Sequence, residues 1–309
     1  MIAVVGPTAA GKSALALRLA REHAGEIVSC DSLQVYRGLD IGSAKASLEE
    51  RASVPHHLID VIEPDAVFSA ADYARLARAA IAEIRSHGKL PIVVGGTGLY
   101  LKALVQGLFE GPARDDTLRA RLERMASRFG DARLHRLLGR VDPAAAARTH
   151  PRDRVRIVRA LEVYALTGRP ITAQQQAKGA ELEGPFLLLG LCPDRAALRA
   201  AVVARTRQML ERGLLVEVRG LLARHGEPLP RPLAAIGYRQ AVSVLRGELA
   251  ADEAEQAIVT ATMRFAKRQM TWFRHQAPRD VSWFEAPEAA HAFASSWLAS
   301  NPARGPAPA

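Results

Sequence analysis

The 309-residue sequence predicts an α/β protein, in which a parallel sheet flanked by helices is interrupted by an all-helical insertion domain. Two observations lead to this prediction. Short apolar runs alternate with segments of helical periodicity over the first hundred residues, which is the order that builds parallel sheets. From about Gly111 the strand-like runs stop, and prolines divide a stretch rich in Arg, Ala and Leu into short helices.

Four runs in the first hundred residues have the length and apolar character of buried strands. They are residues 2–5, 26–30, 58–62 and 90–94. Helices are expected at 13–22 and 69–86, and Ser69 followed by Asp72 predicts a capping arrangement at the start of the second helix. Each predicted helix therefore lies between two predicted strands, as in a parallel sheet covered by helices.

The predicted elements divide the chain into a discontinuous core and one insertion. The core comprises residues 1–111 and 181–300, and its second part holds a last strand at 186–191 followed by helices to about residue 275. The helical insertion occupies residues 112–180. The Pro/Ala/Gly-rich residues 301–309 are expected to be disordered.

Composition excludes several classes of protein. No apolar run approaches the roughly 18 residues that span a bilayer, so no membrane association is expected. Cys30 and Cys192 alone cannot form a disulfide framework, and the N-terminus does not resemble a signal peptide, so we expect a cytoplasmic protein. Lys and Arg outnumber acids by 42 to 32, which favours a polyanionic partner. A monomer is the default expectation for its oligomeric state.

Residues 6–13 match the phosphate-binding pattern G-x-x-x-x-G-K-[ST], and the motif lies between a predicted strand and a predicted helix. The backbone N–H groups of such a loop point at phosphate oxygens, reinforced by the helix N-terminus. Lys12 adds a positive charge, and the Ser13 hydroxyl can hold Mg²⁺. The sequence thus predicts a P-loop NTPase-like core that binds a di- or triphosphate. The phosphate-binding residues are Gly6, Pro7, Thr8, Ala9, Ala10, Gly11, Lys12 and Ser13.

A carboxylate follows the second predicted strand. The strand at 90–94 leads into Gly95, Gly96 and Thr97, without the acidic residue that often holds Mg²⁺ in phosphate-loop proteins, whereas the strand at 26–30 leads into Asp31. Because carboxyl ends of parallel strands share one edge of the sheet, Asp31 is expected near the phosphate loop. From its position alone, Asp31 can be a general base, a metal contact or a helix cap.

Basic residues are concentrated in the helical parts of the chain. Residues 114–140 hold eight arginines against four acids. Two further sets each share one predicted helical face: Arg152, Arg156 and Arg159, and then Arg264, Lys267, Arg268 and Thr271. Such runs usually form a solvated surface, but three of them in a chain of net charge +10 favour nucleic-acid contact.

The remaining candidate ligands for metals are interpreted as structural. His56 and His57 are adjacent, and neighbouring side chains on an extended segment point to opposite faces, so they do not readily share one ion. Neither cysteine has a partner at ligand spacing, and both are expected to be small buried side chains.

Eight motifs, in order from residue 4 to about 283, make the sequence resemble the tRNA dimethylallyltransferases (tRNA isopentenyltransferases). After the phosphate loop they are DSLQVYRGLDIGSAK at 31–45, PHHLID at 55–60, SAADY at 69–73, GGTGLY at 95–100, RALEV at 159–163, IGYRQ at 236–240 and KRQMTWFR at 267–274. The chain departs from the family pattern at Ala46, usually Pro, at Val155, where Gln is expected, and at Ala234, where many relatives have a basic residue. The last two departures put individual tRNA contacts in doubt.

The resemblance implies transfer of a dimethylallyl group from dimethylallyl diphosphate to N6 of the adenosine 3′-adjacent to the anticodon. Diphosphate is the leaving group. The resemblance also implies that Mg²⁺ binds near Ser13 and that Arg205 contacts the diphosphate. In family terms, the catalytic residues are Asp31, which accepts a proton from the amine, and Thr97, whose hydroxyl contacts the substrate. The acceptor base has to be flipped out of its stack to be reached.

The resemblance also implies which residues contact the anticodon stem-loop of tRNA, in the insertion and in the core. They are Asp31, Ser32, Leu33, Gln34, Thr97, Arg119, Val155, Arg156, Ile157, Val158, Arg159, Ala234, Ala235, Ile236, Gly237, Tyr238, Arg239, Lys267, Arg268, Gln269, Met270, Thr271, Trp272, Phe273 and Arg274. Two of these segments coincide with basic clusters found from the sequence alone. The alternatives are a phosphate-loop kinase of small molecules, an isopentenyltransferase of free adenine nucleotides and a non-catalytic RNA-binding protein.

Overall fold

The chain folds into two compact units in a computed structural model that describes residues 1–109, 111–175 and 181–301. The core unit comprises Met1–Val105 and Leu182–Ala309, and the helical unit comprises Gln106–Glu181. The helical unit therefore begins six residues before the predicted boundary at 112. Of the predicted tail, residues 302–309 lie outside the described residues.

The core unit is built on a parallel sheet of six strands in the order β3-β2-β4-β1-β5-β6. The strands are β1 (Ile2–Val5), β2 (Gly25–Ser29), β3 (His56–His57), β4 (Leu90–Val94), β5 (Leu187–Leu191) and β6 (Ser282–Phe284). The predicted parallel sheet is thus confirmed, with β1 at its centre between β4 and β5.

Fourteen α-helices lie in the described part of the chain. They are α1 (Lys12–Glu22), α2 (Leu48–Ser53), α3 (Ala70–Ser86), α4 (Gly98–Gln106), α5 (Asp116–Phe129), α6 (Asp131–Val141), α7 (Pro143–Arg148), α8 (Arg154–Thr167), α9 (Ile171–Gln175), α10 (Arg195–Glu211), α11 (Leu214–His225), α12 (Tyr238–Leu245), α13 (Ala254–Gln276) and α14 (Pro287–Ser300). The predicted cap of α3 is present, because the Ser69 side chain accepts from the Asp72 N–H and the Asp72 carboxylate accepts from the Ser69 N–H, both at 3.1 Å. None of these helices is long and apolar enough to cross a membrane.

Alternate residues of β1 pack on opposite faces of the sheet, as expected of a strand that is buried on both sides. Ile2 and Val4 join a cluster with α1 and α14, whereas Ala3 and Val5 join a cluster with α3, α4 and α13. Helices therefore cover both faces of the sheet. The carboxyl ends of its strands hold the loops that form the site.

The strand predicted at 58–62 is wrong. Leu58 and Asp60 have φ angles of 61° and 56°, which interrupt the extended repeat, and only His56–His57 pairs with β2 as a strand. The Asp60 carboxylate instead accepts from Lys45 Nζ at 2.6 Å and from an Arg51 guanidinium nitrogen at 2.9 Å. β6 and α14 were not predicted from the sequence.

The helical unit has a hydrophobic core of its own, formed by α5 to α9. Leu134, Leu138, Ile157 and Val163 are fully buried there. No strand occurs among residues 111–175 and 181, which agrees with the prediction of an all-helical insertion.

Candidate active site

A cavity of about 630 Å³ opens at the carboxyl ends of β1, β2 and β4 in the core unit. The phosphate loop and the first turn of α1 line one part of it through Thr8, Lys12 and Ser13. Asp31 and Thr97, which follow β2 and β4, line it as well, together with α10, α13 and residues 234–237. The segments that sequence reasoning singled out in the core unit therefore converge on one cavity.

The phosphate loop is held in a conformation that requires glycine. Gly6 has a φ of 137°, and a Cβ there would lie 2.4 Å from the carbonyl oxygen of Leu191 on β5. Gly11 has a φ of 85°, a left-handed conformation that glycine adopts without steric cost. Lys12 folds back so that its Nζ donates to the Pro7 carbonyl at 2.6 Å.

Gln269 of α13 ties the phosphate loop to the loop after β4. Its Oε1 accepts from the Thr8 N–H, and its Nε2 donates to the Gly96 carbonyl, each at 3.0 Å. The side chain is buried, at 7% exposure, so both ends of the amide are engaged within the protein. Although Gln269 was predicted to contact tRNA, the structure places it as a link between two loops of the cavity.

Two cations and one carboxylate dominate the electrostatics of the cavity. Desolvation, and then the positive charge of Arg205, lower the pKa of Lys12 to about 8, while Asp31 opposes them. Burial also lowers the pKa of the Arg205 guanidinium, again against the effect of Asp31. A bound anion would offset the unfavourable free energy of holding these two partly buried cations close together.

Asp31 and Thr97 are placed by hydrogen bonds between the ends of β2 and β4. The Thr97 N–H donates to the Cys30 carbonyl at 3.3 Å, and the Thr97 hydroxyl accepts from the Ser32 N–H at 3.1 Å. The Asp31 carboxylate accepts from the Leu33 N–H at 2.8 Å. No other hydrogen-bond donor in the described residues contacts this carboxylate, which leaves one oxygen available to a substrate.

These contacts bear on the three roles left open for Asp31. Asp31 caps a turn at 32–35 and no helix, so the helix-cap role is excluded. The oxygen of Asp31 that accepts no hydrogen bond suits either of the other two roles, general base or metal contact.

The predicted tRNA contacts of the core unit differ in exposure: Met270 and Trp272 are half-buried outside the cavity lining, and the others fall into three sets. Those that line the cavity are Asp31, Ser32, Leu33, Gln34, Thr97, Ala234, Ala235, Ile236, Gly237, Arg239, Arg268 and Gln269. Lys267, Thr271 and Arg274 are exposed on α13 outside the cavity lining. Tyr238 and Phe273 are buried in the protein core at 0% and 2% exposure, so the structure places neither side chain at a surface that RNA could reach.

The predicted contacts of the helical unit divide in the same way. Val155 and Arg156 are exposed, whereas Ile157 and Val158 are buried in the core of this unit. Arg119 and Arg159 both pair with the buried Glu162, with N–O distances of 2.7 Å.

The same unit corrects one detail of the basic face predicted on α8. Arg152 precedes α8, which begins at Arg154, so it does not share a helical face with Arg156 and Arg159.

The histidines and Cys30 take structural positions, as expected, whereas Cys192, which was also expected to be buried, is half-buried. His57 Nε2 lies 2.6 Å from the Glu26 carboxylate, and His56 Nδ1 lies 2.7 Å from the Val54 carbonyl. Cys30 is buried, and desolvation raises the pKa of its thiol to about 12, which makes it unreactive.

Sequence reasoning missed one residue that organises the cavity wall. Glu217 of α11 accepts hydrogen bonds from the backbone of residues 40–42 and from the Tyr238 hydroxyl. Nothing in the surrounding sequence, a run of apolar residues on an ordinary amphipathic helix, marks this glutamate.

Comparisons with known proteins identify the family of the chain. A model of the family described as IPP transferase matches residues 34–276. A tRNA dimethylallyltransferase of Geobacter metallireducens is 50% identical over 288 residues, 93% of each chain. One of Anaeromyxobacter sp. (strain K) is 48% identical over 98% of each chain.

Two solved structures are also similar. The tRNA isopentenylpyrophosphate transferase of Bacillus halodurans aligns with a TM-score of 0.69 and 38% identity, over 97% of this chain and 96% of that one. A eukaryotic dimethylallyltransferase, described as acting on tRNA, aligns with a TM-score of 0.78 and 25% identity, over 97% of this chain and 79% of that one.

Proposed function

This chain belongs to the IPP transferase family, and on that premise we propose that it is a tRNA prenyltransferase that uses dimethylallyl diphosphate. The acceptor is N6 of the adenosine immediately 3′ of the anticodon. The observation that carries the proposal is the cavity in which a phosphate loop with two cations meets the available carboxylate of Asp31.

The reaction is an alkyl transfer with one proton transfer. The N6 lone pair attacks C1 of the dimethylallyl group while the bond from C1 to the diphosphate oxygen breaks. The bonding electrons leave with the diphosphate, and the amine gives one proton to Asp31. A carboxylate with an oxygen open to the cavity can orient the N–H and accept this proton. Thr97, held beside Ser32, presents its hydroxyl to the same acceptor.

The departing diphosphate gains negative charge as the bond breaks, so groups aimed at it lower the barrier. The backbone N–H groups of residues 9–13 and the start of α1 supply fixed dipoles. Lys12 and Arg205 supply full charges from a partly buried position, where water screens them less than at the surface.

Mg²⁺ fits this site as a companion of the diphosphate. Ser13 is the second residue of α1, after Lys12, and is exposed at the cavity; its hydroxyl is the predicted protein ligand. Mg²⁺ commonly takes few protein ligands and keeps waters and phosphate oxygens, which agrees with the lack of an acidic cluster among the described residues. When bound, the ion would neutralise charge on the diphosphate.

The acceptor side of the cavity suits a flipped nucleotide. Residues 234–237 give it a backbone-rich wall, and α13 carries the exposed cations Arg264 and Arg268 at its rim, with Phe265 between them. The Arg268 guanidinium lies 5.5 Å from the centre of the Phe265 ring. Cations beside an aromatic ring are typical of surfaces that bind unstacked RNA bases and phosphates.

The test is to incubate the purified protein with Mg²⁺, dimethylallyl diphosphate and an unmodified tRNA that has adenosine 3′ of its anticodon. Mass spectrometry of nucleosides should detect N6-dimethylallyladenosine. Product on free AMP alone would contradict the proposal and favour the nucleotide-prenylating alternative. ATP turnover without prenylated product would favour the kinase.

The role of Asp31 is tested in the same assay. Asp31→Asn should lower turnover roughly 100-fold or more and leave tRNA affinity within a few-fold, because general-base catalysis is lost while the shape is kept. Asp252→Asn, at an exposed carboxylate in the turn before α13, is the matched control. Equal turnover of the wild type and Asp31→Asn would remove Asp31 as the base.

A further inference from the structure

Glu217 holds a loop of the core unit by its backbone. One carboxylate oxygen accepts from the Asp40 and Ile41 N–H groups at 3.0 and 2.7 Å, and the other accepts from the Gly42 N–H at 3.3 Å. Three successive N–H groups that converge on one anion form an anion-binding nest, and bonds to a charged acceptor are stronger than those to a neutral one. The carboxylate thereby fixes the conformation of residues 40–42.

The same carboxylate also holds Tyr238, the first residue of α12. The Tyr238 hydroxyl donates to Glu217 at 2.8 Å, and burial raises the pKa of this hydroxyl, so it stays a neutral donor. The Tyr238 ring packs against Gly42 so closely that a Cβ on Gly42 would lie 2.5 Å from the ring. Glu217 therefore joins two chain segments that are about two hundred residues apart.

Both joined segments run into the lining of the cavity. Gly42, the last residue of the nest, lines it together with Ser43 and Ala44, and residues 234–237, just before Tyr238, line it as well. We call residues 42–44 and 234–237 the acceptor wall. Glu217 lies behind this wall and does not itself line the cavity.

The acceptor wall in turn orients Gln34. Gln34 Nε2 donates to the carbonyls of Ser43 and Ala44 at 3.3 and 3.2 Å, while its Oε1 accepts from the Ser29 hydroxyl at 2.8 Å. Gln34 stands three residues after Asp31 and lines the cavity. Hydrogen bonds thus run from Glu217 through the loop to the segment that carries the proposed base.

Glu217 is surrounded by buried side chains of the core unit. Around Glu217 on α11, Leu214, Val218 and Leu221 are buried at 0–1% exposure and pack against Leu39 and Tyr238. The other end of the loop is held by Lys45, whose Nζ donates to the Asp40 carboxylate at 2.7 Å. The phosphate loop is held differently, by Gln269 from α13.

We propose that Glu217 is a positioning residue for the RNA acceptor: it sets the acceptor wall, and thereby the fit of the flipped nucleotide, without acting on the diphosphate half of the cavity. This inference rests on the proposed tRNA prenylation and adds to it a residue that determines acceptor binding. It predicts that a change at Glu217 separates the two substrates kinetically.

The experiment compares Glu217→Gln and Tyr238→Phe with the wild type and with Glu63→Gln. Glu63 forms an ion pair with Arg37 in which both side chains are more than half exposed, so this control loses a carboxylate away from the cavity lining. Initial rates give kcat and the KM for tRNA at saturating dimethylallyl diphosphate. A second series gives the KM for dimethylallyl diphosphate at saturating tRNA. Amide hydrogen exchange of residues 40–44 reports on the nest and on the part of the acceptor wall that adjoins it.

In Glu217→Gln, an amide NH₂ faces N–H or O–H donors, so part of the nest is lost. We expect the KM for tRNA to rise roughly tenfold and the KM for dimethylallyl diphosphate to stay within about twofold. Exchange at 40–44 should speed up while the phosphate loop is unchanged. Tyr238→Phe removes one of the four hydrogen bonds to Glu217 and should raise the KM for tRNA roughly two- to threefold. This variant tests the inference even if Glu217→Gln does not fold.

The inference would be overturned if Glu217→Gln raised the KM for tRNA and the KM for dimethylallyl diphosphate equally, or if it lowered only kcat, in proportion to the fraction of folded protein. It would also be overturned if amide exchange at residues 40–44 became faster while kcat and the KM for tRNA stayed unchanged. If the wild type binds the anticodon stem-loop but forms no product, the proposed reaction fails, and fluorescence anisotropy with the labelled stem-loop still tests Glu217 through affinity. A wild type that does not bind RNA overturns both.

Discussion

Lys12 should give the reaction an alkaline limit with an apparent pKa of about 8. Desolvation and the positive charge of Arg205 lower the pKa of Lys12 from its ordinary value of 10.5 to about 8. A neutral lysine no longer attracts the diphosphate. The last proton of a phosphate group dissociates near pH 6, so ionisation of the substrate itself does not explain a limit near pH 8.

The magnitude follows from the titration of one group. With a pKa of about 8, about half of Lys12 is charged at pH 8 and about one tenth at pH 9. The value of kcat/KM for dimethylallyl diphosphate reports the free enzyme, so it should fall roughly tenfold per pH unit above the pKa. Bound diphosphate favours the charged lysine, so the limit in kcat should lie at higher pH.

Two variants test the assignment in initial-rate measurements from about pH 6.5 to 10 at saturating tRNA. Lys12→Arg keeps its charge throughout this range, so its residual activity should lack the alkaline limit. Arg205→Gln removes a cation that lowers the pKa of Lys12, so the limit should move to higher pH. Lys89→Arg, whose lysine pairs with Glu26, is the control. An unchanged limit in Lys12→Arg, or a flat wild-type profile, would refute the reasoning.

Two further predictions concern the helical unit and α13. Burial raises the pKa of Glu162, but hydrogen bonds from Arg119 and Arg159 together lower it to about 2, so Glu162→Gln should cost about 3 kcal/mol at pH 7. In urea unfolding, that difference should shrink as pH falls from about 4.5 towards 2, the pKa at which half of the carboxylate in the folded wild type is protonated. A difference independent of pH would contradict the prediction. Arg268→Gln should weaken tRNA binding and lower the slope of log affinity against log salt by about 0.7 to 0.9. An unchanged slope would argue against a phosphate contact.

The parts of the fold that the sequence predicted correctly are encoded by neighbouring residues. The phosphate loop, the strands at 2–5 and 90–94, and the Ser69–Asp72 cap each depend on a few consecutive side chains. The strand predicted at 58–62 failed because its apolar run turns at Leu58 and Asp60. That turn is fixed by Lys45 and Arg51, which no local pattern connects to it.

The candidate site divides in the same way. Asp31 could be placed near the phosphate loop because parallel strands bring their carboxyl ends to one edge. The family resemblance named Ile157, Val158, Tyr238 and Phe273 as tRNA contacts, and in this structure all four side chains are buried in the protein core. A sequence motif shared by a family contains residues that contact a substrate and residues that pack behind them. The motif alone does not distinguish the two kinds of residue.

The sequence by itself determined the class of fold, the phosphate-loop motif and the carboxylate that follows the neighbouring strand, because strand length, helical period and the glycines of the loop are local properties. Only the tertiary structure decided which side chains face the cavity and which support it. Glu217 meets residues 40–42 and Tyr238, and Gln269 meets Thr8 across about 260 residues. Such contacts depend on how helices pack on the sheet, and packing is set by the whole chain at once.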